Sequence, residues 1–184
     1  LDANEIEFRN GIEVARAGHA DILAVGNEVM LREDLTEDQL VAYIERARAA
    51  VPGVPVGTVD AYFLFENHPR VAAVCDTLLV NCYPFWESCP VEYALLYMKD
   101  MYRRAQNVAD GKKVIISETG WPTVGSAFGS AIPSYDNALE YFIRTYQWAH
   151  EEGVEIFYFS SFDESWKVGD EGDVGAYWGL WDKD

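Results

Sequence analysis

Short uncharged runs alternate along the chain with longer segments whose apolar residues recur three and four positions apart. "ADILAVGNE" predicts a strand over residues 22–25. In "TEDQLVAYIERARAAV" Thr36 and Gln39 form a capping box, and Leu40, Ile44, Ala47 and Val51 share one helical face. "VPVGTVDAYF" predicts a second strand, "HPRVAAVCD" a short helix, and "TLLVNCYPFW" a third strand that ends in an aromatic loop. "CPVEYALLYMKDMYRRAQNVADG" predicts a long helix, with Pro90 near its first turn and Gly111 beyond its end. In "KKVIISETGWP" the β-branched Val114, Ile115 and Ile116 predict a strand buried on both faces, which gives way to a loop at Ser117, Glu118 and Thr119. "SYDNALEYFIRTYQWAHEEG" predicts a helix with Leu139, Phe142, Ile143 and Tyr146 on one face, and Gly153 suits its C-cap. "VEIFYFSSFDE" predicts a fifth strand, and residues 1–18 read as a strand tail followed by a helix.

Strand, loop and helix repeated in this way predict an α/β fold with parallel strands joined by helical crossovers. A doubly wound open sheet and a (β/α)8 barrel both fit. No GxGxxG or GxxxxGK[ST] follows a strand, which removes the main support for a nucleotide-binding open sheet. Polar residues instead gather after the strands: Asn27 and Glu28, Asp60 to Tyr62, Asn81 to Tyr83, Ser117 and Glu118, then Asp163 and Glu164. A barrel active site needs such side chains at strand C-terminal ends. The expectation is therefore a partial TIM barrel, about strands four to eight with their helices, as a single catalytic-type domain over residues 1–184. Five strands without the opening ones leave two bare edges, which predicts edge-mediated self-association.

With 49% hydrophobic and 14% aromatic residues, the 184-residue chain can bury one sizeable core. Acidic residues outnumber basic ones 31 to 14, a net charge of -17 that disfavours nucleic acid and anionic membranes as partners. No apolar run approaches the ~18 residues of a membrane span. Cys75, Cys82 and Cys89 form no CxxC pair and read as buried free thiols, with a Cys82–Cys89 bridge as the alternative. The three histidines lack ligand spacing, and "GDEGDVG" lacks the register of a calcium loop, so a solvated acidic turn is expected there and no metal site.

Glu28 and Glu118 are the two carboxylates best placed for catalysis, since each follows an apolar strand and precedes a break in regular structure. Paired carboxyl groups at a barrel mouth suit glycoside hydrolysis: one protonates the leaving oxygen and the other attacks the anomeric carbon. This chemistry needs no cofactor. Asn27 offers an amide for a sugar hydroxyl. Tyr83, Phe85, Trp86, Trp121, Trp166, Trp178 and Trp181 cluster after the strands and offer ring faces for sugars, against the alternative of packing under loops.

"VGNE", "NCYPFW", "ETGWP", "FDESWK" and "YWGLWDKD" occur together and in order. This ordered set, spanning almost the whole chain, resembles glycoside hydrolase family 17, the β-1,3-glucanases and related glucanosyltransferases. The resemblance implies Glu28 as general acid/base at the end of barrel strand four and Glu118 as nucleophile at the end of strand seven. It also implies Asn27 near the sugar 2-hydroxyl, Tyr83 hydrogen-bonded on the nucleophile's side, and Glu164 with Lys167 bordering the centre. Trp121 and Trp166 would line sugar subsites, with Phe85 among the substrate contacts. A secreted or cell-envelope setting follows from the same resemblance, and the segments matching the first barrel strands are absent from the sequence.

The expected function is a retaining β-1,3-glucan hydrolase acting on oligo- or polysaccharide. Two alternatives stand beside it. One is a β-1,3-glucanosyltransferase, in which a sugar hydroxyl replaces water in the second step. The other is a carbohydrate-binding fragment without turnover.

Overall fold

The computed structural model describes residues 3–167, 169 and 171–181. Its elements run α1 Ala3–Arg16, β1 Leu23–Asn27, α2 Glu37–Ala50, β2 Val56–Ala61, α3 Tyr62–Asn67 and α4 Pro69–Val74. They continue with β3 Thr77–Asn81, α5 Val91–Ala109, β4 Lys113–Thr119, α6 Tyr135–Glu152 and β5 Ile156–Tyr158. The sheet follows chain order, β1-β2-β3-β4-β5, and both β1–β2 and β4–β5 pair in parallel. An open doubly wound sheet reverses its strand order at a switch point. Among the described strands no reversal occurs, the order of a run of consecutive (β/α)8-barrel strands.

The residues group into two compact units, one running up to Val80 and including Arg104–Ile115, the other formed by Asn81–Arg103 and the residues from Ile116 onward. In the first, α2 starts at the capping box, with the Gln39 amide donating to Thr36 Oγ1 and Gln39 Oε1 accepting from the Thr36 N–H. Leu40, Ile44 and Ala47 are fully buried and Val51 nearly so, as the spacing predicts. Burying each larger aliphatic side chain there contributes roughly 1.5–3 kcal/mol. Glu5 of α1 accepts hydrogen bonds from both terminal nitrogens of Arg46 and from Tyr43, tying α1 to α2. β2 is buried along nearly its whole length, as a strand covered on both faces must be, whereas β1 is partly exposed and pairs, among the described residues, only with β2.

Several elements differ from the pattern-based expectation. α1 begins at Ala3, and the strand tail expected before it would fall on residues 1 and 2, outside the described residues. Tyr62 and Phe63, expected to end the second strand, instead open the helix Tyr62–Asn67, in which Tyr62, Leu64 and Phe65 are buried. β5 is only three residues long, so Asp163 and Glu164 lie beyond it in loop rather than at its end.

In the second unit α6 starts at Ser134, whose Oγ accepts from the Asn137 N–H, and ends at Gly153 in the left-handed conformation. Its buried face is Ala138, Tyr141, Thr145 and Trp148. The expected face is not the one covered: Leu139, Ile143 and Tyr146 are 40%, 43% and 62% exposed. The helix carries apolar residues on two faces, and the small Ala138 and the polar Thr145 disguise the one that packs. All three cysteines are free thiols, and burial pushes Cys75 up to about 11. In "GDEGDVG", Asp170 lies outside the described residues. Asp173 accepts from both the N–H and the hydroxyl of Ser126, so it anchors a neighbouring loop instead of remaining a merely solvated charge.

Candidate active site

An irregularity of the same kind accompanies both candidate glutamates, with Glu28 just past it and Glu118 inside it. Between Ala24 and Asn27, three residue steps of β1 match two of β2, from Gly57 to Val59. Between Ile116 and Thr119, three steps of β4 match two of β5, from Ile156 to Tyr158. One extra residue in a strand turns the following side chains away from the regular alternation, a device common beside active sites.

At β1 the bulge depends on Gly26, whose φ of +84° is open to glycine and strained for other residues. A Cβ at that position would also press on Val29. Glu28 follows with φ +56°, an uncommon left-handed value for a residue with a side chain. Its N–H donates to Val59 O at 2.8 Å, and its carbonyl accepts from the Arg32 N–H at 2.9 Å. The Arg32 guanidinium lies 3.9 Å from Glu28 Oε2 and donates to Asn27 O at 2.7 Å. Asn27 is exposed and Glu28 half-buried, so both are open to a ligand.

Asp60, at the end of β2, is almost fully buried. Its Oδ2 accepts from the Met30 N–H at 3.0 Å and its Oδ1 from the Ala61 N–H at 2.9 Å. Burial raises its pKa, the backbone N–H groups oppose the rise, and the nearby charge of Glu28 adds to it. The sequence pattern places Asp60 among the strand-end polar residues without giving it a site role.

Glu118 lies at the end of β4, one residue before its last, Thr119. Tyr83 donates its phenolic hydrogen to Glu118 Oε2 at 2.9 Å, and the Cys82 N–H donates to Glu118 O at 2.9 Å. Beside them Ser117 Oγ donates to Asn81 Oδ1 at 2.8 Å. Behind, the Thr119 and Tyr141 hydroxyls meet at 2.6 Å, and burial keeps the Tyr141 phenol far above its ordinary pKa, hence protonated. Gly120 is required by packing, since a Cβ there would sit on Phe159 O.

Phe85 and Trp121 are 0% and 1% exposed, so neither presents a ring face to a sugar. This corrects the expectation that they contact substrate. Phe85 is instead the hub of a cluster, with centroids of Trp86, Trp121 and Trp178 at 5.0, 5.4 and 5.6 Å. Trp121 donates its indole N–H to Ile132 O. Trp178, also buried, meets Tyr83 edge-on at 5.3 Å, so the cluster braces the phenol that holds Glu118. Nothing in the spacing of Trp178 marks that role beforehand. Trp166 is 70% exposed and does offer a ring face. Lys167 Nζ lies 3.1 Å from Glu164 Oε2 and 4.1 Å above the Phe159 ring. Among the described residues no group of three or more His, Cys, Asp or Glu is placed to hold a metal ion, and no helix is long and apolar enough to cross a membrane.

Residues 2–179 match the BtgE/BtgC glycoside hydrolase domain. A glucan 1,3-β-glucosidase of Candida albicans is 29% identical, over 100% of this chain and 67% of that protein. The crystal structure of a glycoside hydrolase family 17 β-1,3-glucanosyltransferase from Rhizomucor miehei is 30% identical, with a TM-score of 0.86, over 96% of this chain and 68% of that one. An active-site mutant of a Rhizomucor miehei β-1,3-glucanosyltransferase in complex with laminaritriose gives 0.85 at the same identity and coverage. The chain thus spans about two thirds of these relatives. With strand order, domain match and relatives in agreement, the chain belongs to the BtgE/BtgC glycoside hydrolase domain family, within glycoside hydrolase family 17.

Proposed function

We propose that the chain carries the catalytic pair of a retaining β-1,3-glucan hydrolase, with Glu118 as nucleophile and Glu28 as general acid/base. The observation that carries this reading is the Tyr83 hydroxyl on Glu118 Oε2, at the C-terminal end of a barrel strand. It orients a carboxylate and stabilises its charge, as a nucleophile requires. Glu118 attacks the anomeric carbon while Glu28 delivers a proton to the departing glycosidic oxygen, leaving a glycosyl ester on Glu118. Glu28, now a carboxylate, takes a proton from the incoming water, which displaces Glu118. Asn27 addresses the sugar 2-hydroxyl, Trp166 stacks on a ring, and the Glu164–Lys167 pair borders the centre. Phe85 and Trp121 act from beneath, through Tyr83 and the loops.

A second reading is favoured by the likeness to a β-1,3-glucanosyltransferase. There a sugar hydroxyl takes the place of water in the second step. Incubation with laminari-oligosaccharides tests both readings. Shorter products alone mean hydrolysis; products longer than the donor mean transfer. A folded chain that binds the oligosaccharide without converting it refutes both.

A further inference from the structure

A buried carboxyl group opposed by its own desolvation is a burden on the fold unless it performs a task. Asp60 is such a group, 2% exposed and outside the two-glutamate mechanism. Its two oxygens face backbone donors from two segments, Ala61 on one side and Met30 with Leu31 on the other. Oδ1 takes the N–H of Ala61, on its own strand end. Oδ2 takes the N–H of Met30, two residues past Glu28 and thirty positions away in sequence. That turn lies beyond the end of β1, outside the strand pairing. It holds Glu28 at φ +56°, with the Glu28 N–H bonded to Val59 O and internal bonds from Arg32 to Glu28, Glu33 to Met30 and Asp34 to Val29.

We propose that Asp60 is a positioning residue for Glu28, fixing through Met30 the left-handed turn that presents the Glu28 carboxyl. The inference rests on the proposed role of Glu28 as acid/base. A left-handed conformation at a residue with a side chain persists only when its surroundings over-determine it. Val59 O clamps the turn at its start and Asp60 clamps it two residues later. Only a carboxylate meets both demands. An asparagine has one acceptor oxygen and would turn its NH2 group towards one of the two N–H donors.

Asp60→Asn and Asp60→Glu test this, with Glu28→Gln as control. In Asp60→Asn the Met30 amide should exchange with solvent at least tenfold faster, while the melting temperature at neutral pH stays level or rises, because a desolvated charge has been removed. Turnover of β-1,3-glucan should fall at least tenfold, with less loss on substrates whose leaving group needs no proton. Asp60→Glu should recover part of the Met30 protection. Unchanged Met30 exchange in folded Asp60→Asn overturns the proposal, and so does a fall in melting temperature with protection lost uniformly across β2, since that is a structural role. If Glu28→Gln leaves turnover unchanged, it is the assignment of Glu28 that fails, whatever Met30 does.

Discussion

The Tyr83 hydroxyl donates to Glu118 Oε2 at 2.9 Å, and Trp178 meets the same phenol ring edge-on at 5.3 Å. A buried aromatic cluster thereby reaches the proposed nucleophile through a single hydrogen bond. Tyr83→Phe keeps the ring packing and removes only that bond. A hydrogen bond to a charged group contributes ~1.5–3 kcal/mol, so glycosylation should slow roughly tenfold to hundredfold while thermal stability barely moves. Single-turnover kinetics beside a melting curve checks this. A variant that loses stability in proportion to rate would show that the phenol serves the fold instead.

Glu28→Gln separates the acid step from the nucleophilic one. Substrates with good leaving groups need little protonation, so their glycosylation should be nearly spared, whereas natural glucans should lose roughly a hundredfold to ten-thousandfold. Pre-steady-state rates on both substrate types give the ratio. Equal losses on both would remove the acid role from Glu28.

Away from the site, Glu5 gives a pH-dependent stability with a definite sign. Hydrogen bonds from Arg46 and then Tyr43 lower its pKa from 4.5 to about 2. A carboxyl with a depressed folded value stabilises fully above its unfolded value, and the contribution is lost as pH falls from about 4.5 towards 2. Glu5→Gln should therefore melt earlier than the parent near pH 6, and the two curves should meet by about pH 2. A gap that stays constant across that range would contradict the pairing.

The parallel strands and the position of both glutamates at strand ends are legible in the sequence because an apolar run closed by polar residues suits a buried strand that stops at the surface. The extra residue in β1 and β4 is not legible. "VGNE" shows a glycine and a carboxylate, but only the pairing with Val59 reveals that the strand gains a residue between Ala24 and Asn27. Composition marks Phe85 and Trp121 as aromatics after strands, yet whether a ring stacks on a sugar or on another ring depends on residues far along the chain, such as Trp178. Asp60 hides for a similar reason, since its partner Met30 lies thirty positions away.

Spacing alone points to the wrong face of α6, and the face that packs can be tested. Tyr141 is 1% exposed with its hydroxyl on Thr119, so Tyr141→Phe strands a buried hydroxyl and should lower stability by about 1–3 kcal/mol. Ile143 is 43% exposed, and Ile143→Ala should fall within about 0.5 kcal/mol of the parent. Denaturant unfolding of both variants decides, and the reverse order would restore the face that spacing predicts.

Covalent trapping tests the central claim most directly. A 2-deoxy-2-fluoro β-glucosyl donor with a good leaving group lets the first displacement proceed and slows the second, so the glycosyl ester accumulates. Peptide mapping by mass spectrometry should place one added sugar on Glu118, with none in Glu118→Gln. A sugar carried by another residue, or β-1,3-glucan hydrolysed to products of inverted anomeric configuration with no adduct, would contradict the two-glutamate account.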